Sequence, residues 1–191
     1  FSSSRAWNNI RTVSNHVTWH GVVWHPYRIL KHDFSLWLAI HGALRTRDKL
    51  VAMGVLSSAV CVFHYGEPET HDHLFFQCPY SATVWKEILG LCHIVRPIVP
   101  WADEVEWMCT NATGNQFHQT LKKLALAASI YHLWIERNNS CFRNQFLPHQ
   151  DIICRVRRDV SDKLALRNNA QRSNRHHNLC VRWGIPIAEM R

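Results

Sequence analysis

The sequence has no apolar run near the ~18 residues needed to cross a bilayer, and its first residues lack the short hydrophobic core of a secretory signal. It has no glycine-rich phosphate loop, no G-x-S-x-G nucleophile elbow and no adjacent pair of aspartates of the kind that holds polymerase metals. Internal repeats and low-complexity segments are also missing. These absences exclude a membrane span and leave little room for nucleotide hydrolysis, acyl transfer or polymerisation within these residues. Acids are scarce, 14 against 22 Lys and Arg. A soluble, intracellular protein with neither a membrane nor a small-molecule substrate as partner is expected. The first residue is Phe rather than Met, which points to the C-terminal portion of something longer.

What is present is a chain of 191 residues, 47% hydrophobic and only 19% charged, enough for one globular domain with an extension. Its net charge of +8 favours a polyanionic partner such as nucleic acid. From Arg155 onward, nine basic residues face three acids, so most of the excess lies in the last fifth of the chain. A tail kept soluble by like charge is the plain alternative. Seven scattered cysteines, an odd number without a secretory signal, argue for reduced thiols over a disulfide framework.

Periodicity predicts a mainly α fold. Asp33 serves as the expected N-cap of a helix over 33–44, and Thr46 opens a second over 47–53 that Gly54 stops. Ser81 is the expected start of a helix that Gly90 closes, and the segment around Pro97 and Pro100 reads as a loop carrying Trp101 and Trp107. Phe117, Leu121, Leu124, Ala128, Tyr131 and Ile135 form a heptad-like seam on a helix of about seven turns. After Pro148, Ile152, Val156, Val160 and Leu164 line one face of a further helix. Trp183 to Pro186 form an apolar hook able to dock back on the domain. The expected organisation is a domain over 1–147 followed by a basic helical extension over 148–191.

One segment passes a metal test. Cys61, His64, His73 and Cys78 stand at C-x2-H-x8-H-x4-C, two close pairs bracketing a bend supplied by Gly66 and Pro68. Zinc takes four tetrahedral N or S ligands, and two thiolates balance its charge, leaving a closed structural site with no position for a catalytic water. His71 is a rival to His73, and a metal-free segment with these residues packed in the core is the alternative. There is no Lys or Arg between Lys49 and Lys86, while Glu67, Glu69 and Asp72 lie inside the loop. Phosphate contact dominates nucleic-acid affinity, so this loop is a poor phosphate grip. The backbone-binding surface is expected instead at Arg155, Arg157, Arg158, Lys163, Arg167, Arg172 and Arg175, with Arg45, Arg47 and Lys49. Most of the nine Trp are expected in the core rather than stacked on bases.

WHP at 24–26, FSLWLAIHGAL at 34–44, TRDKL at 46–50, HLFFQCP at 73–79, SATVW at 81–85 and YHLWIERN at 131–138 follow one another in order. Over residues 1 to about 145 the chain thereby resembles the reverse-transcriptase zinc-binding domain at the C-terminal end of plant LINE-type (non-LTR) retrotransposon polyproteins. That family's ligands are Cys, Cys, His and Cys; here His64 stands at the second position, and the family pattern favours His73 over His71. The resemblance implies a non-catalytic zinc module, a small helical domain stapled by a zinc knuckle. Such a module assists an upstream reverse-transcriptase domain in holding template RNA or target DNA in the nucleus, with the cytoplasm as a further location. Polymerase and endonuclease activities would lie upstream. The competing reading is a protein-interaction module that uses the long helix and exposed Trp residues as its contact surface, with or without metal.

Overall fold

The structure is a computed structural model; residue 10 and residues 17–63, 66–143, 145–166 and 176–186 are described. Their helices are α1 (His20–Val23), α2 (Leu30–Ile40), α3 (Arg47–Ala52), α4 (Pro79–Leu91), α5 (Trp101–Asn111), α6 (Phe117–Arg143), α7 (His149–Ala165) and α8 (His177–Trp183), with a π-helical turn, His73–Gln77, between α3 and α4. The mainly helical fold expected from periodicity is what is found. Among the described residues the only strand-like pairing is an isolated antiparallel bridge between Val60 and Pro68, and no helix is long and apolar enough to cross a membrane.

Helix α6 is the axis. Its seam residues Phe117, Leu121, Leu124 and Ala128 are buried, and so are Ala125, Leu126, Ala127, Ile130 and Leu133. Burial thus runs around much of the helix, because α2 and α7 both pack on it and a helix covered from several sides has no polar face to spare. The α7 stripe Ile152, Val156, Val160 and Leu164 belongs to the same core as Trp85, Leu36 and Phe75. Pro148 is therefore a punctuation between helices that share one core. Burial of that stripe alone removes four aliphatic side chains from water, each contributing about 1.5–3 kcal/mol before chain entropy is counted.

Several local expectations are corrected. Helix α2 begins at Leu30, with extended Ile29 as its N-cap, so Asp33 sits inside the first turn, fully buried, and is not the cap. Neither Asp33 carboxylate oxygen has a side-chain or backbone donor in hydrogen-bonding geometry among the described residues. Burial pushes its pKa up to about 8 against the opposing pull of Arg28 and Lys163. Helix α4 starts at Pro79, whose fixed φ and missing N–H suit the first helical position; Ser81 instead donates its hydroxyl to the Leu74 carbonyl at 2.5 Å. Residues 101–111 are helix rather than loop: Pro100 precedes the first turn, which carries Asp103 and Glu104, acids that complement the positive helix end. Asp72 Oδ1 accepts from the Trp101 N–H at 2.7 Å.

The apolar hook docks as expected, against the end of α4, and is carried there by a short helix, α8, that the sequence did not announce. Trp183 is buried and its Nε1–H donates to the Leu91 carbonyl at 3.0 Å, while Arg182 donates to the Gly90 carbonyl at 3.1 Å. Both meet carbonyls at the C-terminus of α4, where a helix has too few backbone donors of its own. Gly184 follows in the left-handed region at φ 68° and ends α8, a conformation glycine adopts without a Cβ clash.

Two buried groups near the α1–α2 junction set a pH dependence. Burial, with Lys123 and Arg28 nearby, holds His25 down to about 4 from an ordinary 6.5. Its folded form binds fewer protons than the unfolded chain between those values, so its contribution weakens stability as pH falls through that window. Asp33 acts oppositely: its raised folded pKa favours the fold at low pH and takes stability away as pH rises from 3.8 to about 8. His32 and His71, also held down to about 4 by burial, side with His25, so Asp33 opposes the histidines below 6.5 and dominates as pH rises above it. Denaturant unfolding at pH 6.5 and pH 8 is expected to show a loss of roughly 2 kcal/mol in the wild type. In Asp33→Asn that loss should vanish; an equal loss in the variant would remove Asp33 as its source.

Candidate metal centre

The segment from 59 to 78 is built to bring thiols and an imidazole together. The Cys61 N–H donates to the Glu67 carbonyl at 2.9 Å and the Glu69 N–H to the Ala59 carbonyl at 2.7 Å. These bonds close a short hairpin that turns at Gly66, whose φ is 76°. After it, the chain enters the π-helical turn, where the Cys78 N–H reaches back five residues to the His73 carbonyl at 2.6 Å. The wider turn lets His73 and Cys78 face the hairpin on one side while Leu74, Phe75 and Phe76 enter the core. Cys78 is then the N-cap of α4.

Cys61, His73 and Cys78 converge: their ligand atoms all lie within 4.8 Å of one another, and all three residues are buried. The two Sγ atoms are 3.9 Å apart. Two thiolates at 2.3 Å from a tetrahedral zinc would be about 3.8 Å apart, so the pair needs almost no movement to clasp the ion. His73 Nε2 is buried with no hydrogen-bond partner among the described residues, the state of an imidazole nitrogen reserved for a metal. The thiols are polarised against each other. The hydrogen bond shared with Cys61 holds Cys78 below the usual thiol range, helped by the Tyr80 and Ser81 backbone N–H groups at the start of α4. The same shared bond, with burial, pushes Cys61 up. The donor set fits zinc, and Cys61, His73 and Cys78 would hold it.

The fourth ligand expected from the sequence, His64, lies outside the described residues. The rivalry between the two histidines of the turn is decided by orientation. His71 points away, its ring edge-on to Trp101 at 4.3 Å and to Phe75 at 5.0 Å.

The acids of the loop are not a repulsive patch. Glu69 is 0% exposed and Oε1 accepts from Arg137 Nε at 2.8 Å, with Nη2 at 2.7 Å, and from the Arg47 N–H at 3.0 Å. This ion pair ties the hairpin and the start of α3 to α6. Arg137 was legible only as a landmark of the YHLWIERN run; nothing in the sequence paired it with Glu69, 68 positions away.

The basic residues expected to meet phosphate are dispersed. Arg158 is open, its side chain 68% exposed, with Asp159 Oδ1 3.6 Å from its Nε. Arg155, Arg157 and Lys163 are half-buried along α7, and Asp151, Asp159 and Asp162 share that helix. Arg45 is exposed beside Met53, at 3.3 Å from its sulfur, and Arg47 is half-buried. Lys49 donates to the Gly42 and Leu44 carbonyls at 2.6 and 3.2 Å, so its charge already serves the turn after α2. Arg167, Arg172 and Arg175 lie outside the described residues. None of the described Trp side chains is fully exposed, most being half-buried, and α6 is largely buried except at its C-terminal end, where Phe142 is exposed.

No curated protein and no solved structure matches this chain. The stretch that carries the thiol–imidazole cluster, residues 1–85, is matched by the family model described as zinc-binding in reverse transcriptase, which makes this part of the chain similar to an accessory, metal-holding domain of that enzyme.

Proposed function

We propose that the protein is a non-catalytic zinc-stapled module that works beside a reverse transcriptase of the non-LTR retrotransposon type and helps it hold template RNA or target DNA in the nucleus. The observation that carries this reading is the buried convergence of Cys61, His73 and Cys78, with thiols at zinc-clasping separation. Zinc supplies rigidity here. It would join the hairpin, the π-helical turn and α4, and the helices stacked on them would then present the basic C-terminal segment. The net charge of +8 supports a polyanion as the partner, and contact is with phosphates rather than bases, so sequence preference is weak.

The test is metal content measured beside nucleic-acid affinity across a salt series. Stoichiometric zinc is expected, with log affinity falling linearly in log salt. Replacing Arg155, Arg157 and Arg158 by Ala should flatten that slope by about 2–3, close to 0.9 for each phosphate that is no longer neutralised. Affinity indifferent to salt, or a slope unchanged in the triple variant, would reject phosphate binding by α7.

A further inference from the structure

A second cluster, remote in sequence from the first, has the chemistry of a metal site. His32 on α2, His132 on α6 and Asp159 on α7 place one ligand atom each within 4.8 Å of the other two. His132 Nε2 lies 2.9 Å and His32 Nε2 3.2 Å from the same carboxylate oxygen, Asp159 Oδ2. The His132 contact has hydrogen-bonding geometry. The His32 contact does not: both His32 ring nitrogens are buried without a hydrogen-bond partner among the described residues, and the His32 side chain is 1% exposed. A simple hydrogen-bonded clasp would satisfy both rings. Here the His32 imidazole faces the shared carboxylate at ion-pair distance without hydrogen-bonding geometry.

We infer that His32, His132 and Asp159 form a binding site for a divalent first-row transition ion, separate from the Cys61, His73 and Cys78 centre. Two imidazoles and one carboxylate are an N, N, O donor set suited to zinc, cobalt or nickel, and the hard alkaline-earth cations prefer oxygen alone. The separations of 2.9 and 3.2 Å are close to the roughly 3–3.5 Å between ligands about 2.1 Å from a shared ion. The Asp159 side chain is 18% exposed, so the ion would have a route in and an open position for water. Lys31, whose ammonium lies over the Tyr131 ring at 5.1 Å, Arg155 and Arg158, whose Nε lies 3.6 Å from Asp159 Oδ1, are cations near the cluster; they limit affinity without occupying Asp159 Oδ2 or the imidazole nitrogens. The ion would join three helices and tie α7, which carries the basic residues, to the matched N-terminal part.

Cobalt(II) titration of the full chain distinguishes the two centres, because only thiolate ligands produce the near-ultraviolet sulfur-to-cobalt charge-transfer band. About two cobalt ions per chain are expected, one developing that band and one without it. Asp159→Asn and His32→Gln should each reduce uptake to about one ion with the band intact, which also shows that the variant has folded. Uptake of a single ion that is wholly accounted for by the band, or two ions retained in both variants, overturns the second site and leaves the cysteine centre standing. Uptake of one band-free ion that both variants abolish supports the second site while rejecting the first. No uptake rejects both.

Discussion

Removing zinc, or replacing Cys78 by Ser, is expected to destabilise the protein by several kcal/mol. Structural zinc contributes on the order of 10 kcal/mol in isolated finger peptides, where nothing else holds the fold. Here an aromatic and aliphatic core around Trp85, Phe75 and Leu36 contributes to the fold besides the metal, so a part of that figure applies, about 5 kcal/mol. At roughly 2–4 °C per kcal/mol for a chain of this size, the thermal midpoint should fall by about 10–20 °C. Cys78 is the more damaging position. Its thiol, which the Ser variant lacks, meets both Cys61 and the backbone N–H groups at the start of α4. Cys154, exposed on α7, is the control: Cys154→Ser should leave both zinc content and midpoint unchanged. A chelator that strips the ion without moving the midpoint would mean that the cysteine cluster is packing alone.

The second large effect is expected at Arg137. Arg137→Leu strands Glu69 in the core without a counter-charge, and breaking a buried ion pair from one side costs about 3–5 kcal/mol. Glu69 keeps the Arg47 N–H as a partner, which moderates the loss and places it toward the lower figure. Replacing both residues, Glu69→Gln with Arg137→Leu, should recover part of it, because the charge left unpaired is what makes the single change so unfavourable. Urea unfolding of the two single variants and the double variant measures this directly. Equal losses in the single and double variants would show that Arg137 acts by packing, through its guanidinium 5.0 Å from the Trp134 ring, rather than by charge.

These two predictions share a cause: the hairpin that carries Cys61 is short and strand-poor, and it is held from outside itself. One anchor is the cysteine–histidine cluster, the other the Glu69 to Arg137 pair. The first lies within residues 1–85; the second joins that segment to α6. The family-matched segment thus closes its own loop with a residue of α6.

The sequence by itself determined whatever depends on near neighbours. The stripe of α7 and the seam of α6 follow from side-chain period, because a helix buries residues spaced three and four apart. The four candidate ligands Cys61, His64, His73 and Cys78 could be proposed from spacing, with His71 as a rival to His73, since two close pairs on turns are how a chain offers four donors to one ion. Local chemistry also misled where two rules competed. Asp33 and Ser81 both have N-cap side chains, yet Asp33 is carried into the core by the face of α2 it occupies, and Pro79 starts α4 two residues before Ser81. Only the tertiary structure decided which histidine joins the cysteines, that Glu69 meets Arg137, and that His32, His132 and Asp159 share a point in space. Each of these turns on where helices far apart in the chain cross, a consequence of the packing of the whole core, which no local period encodes.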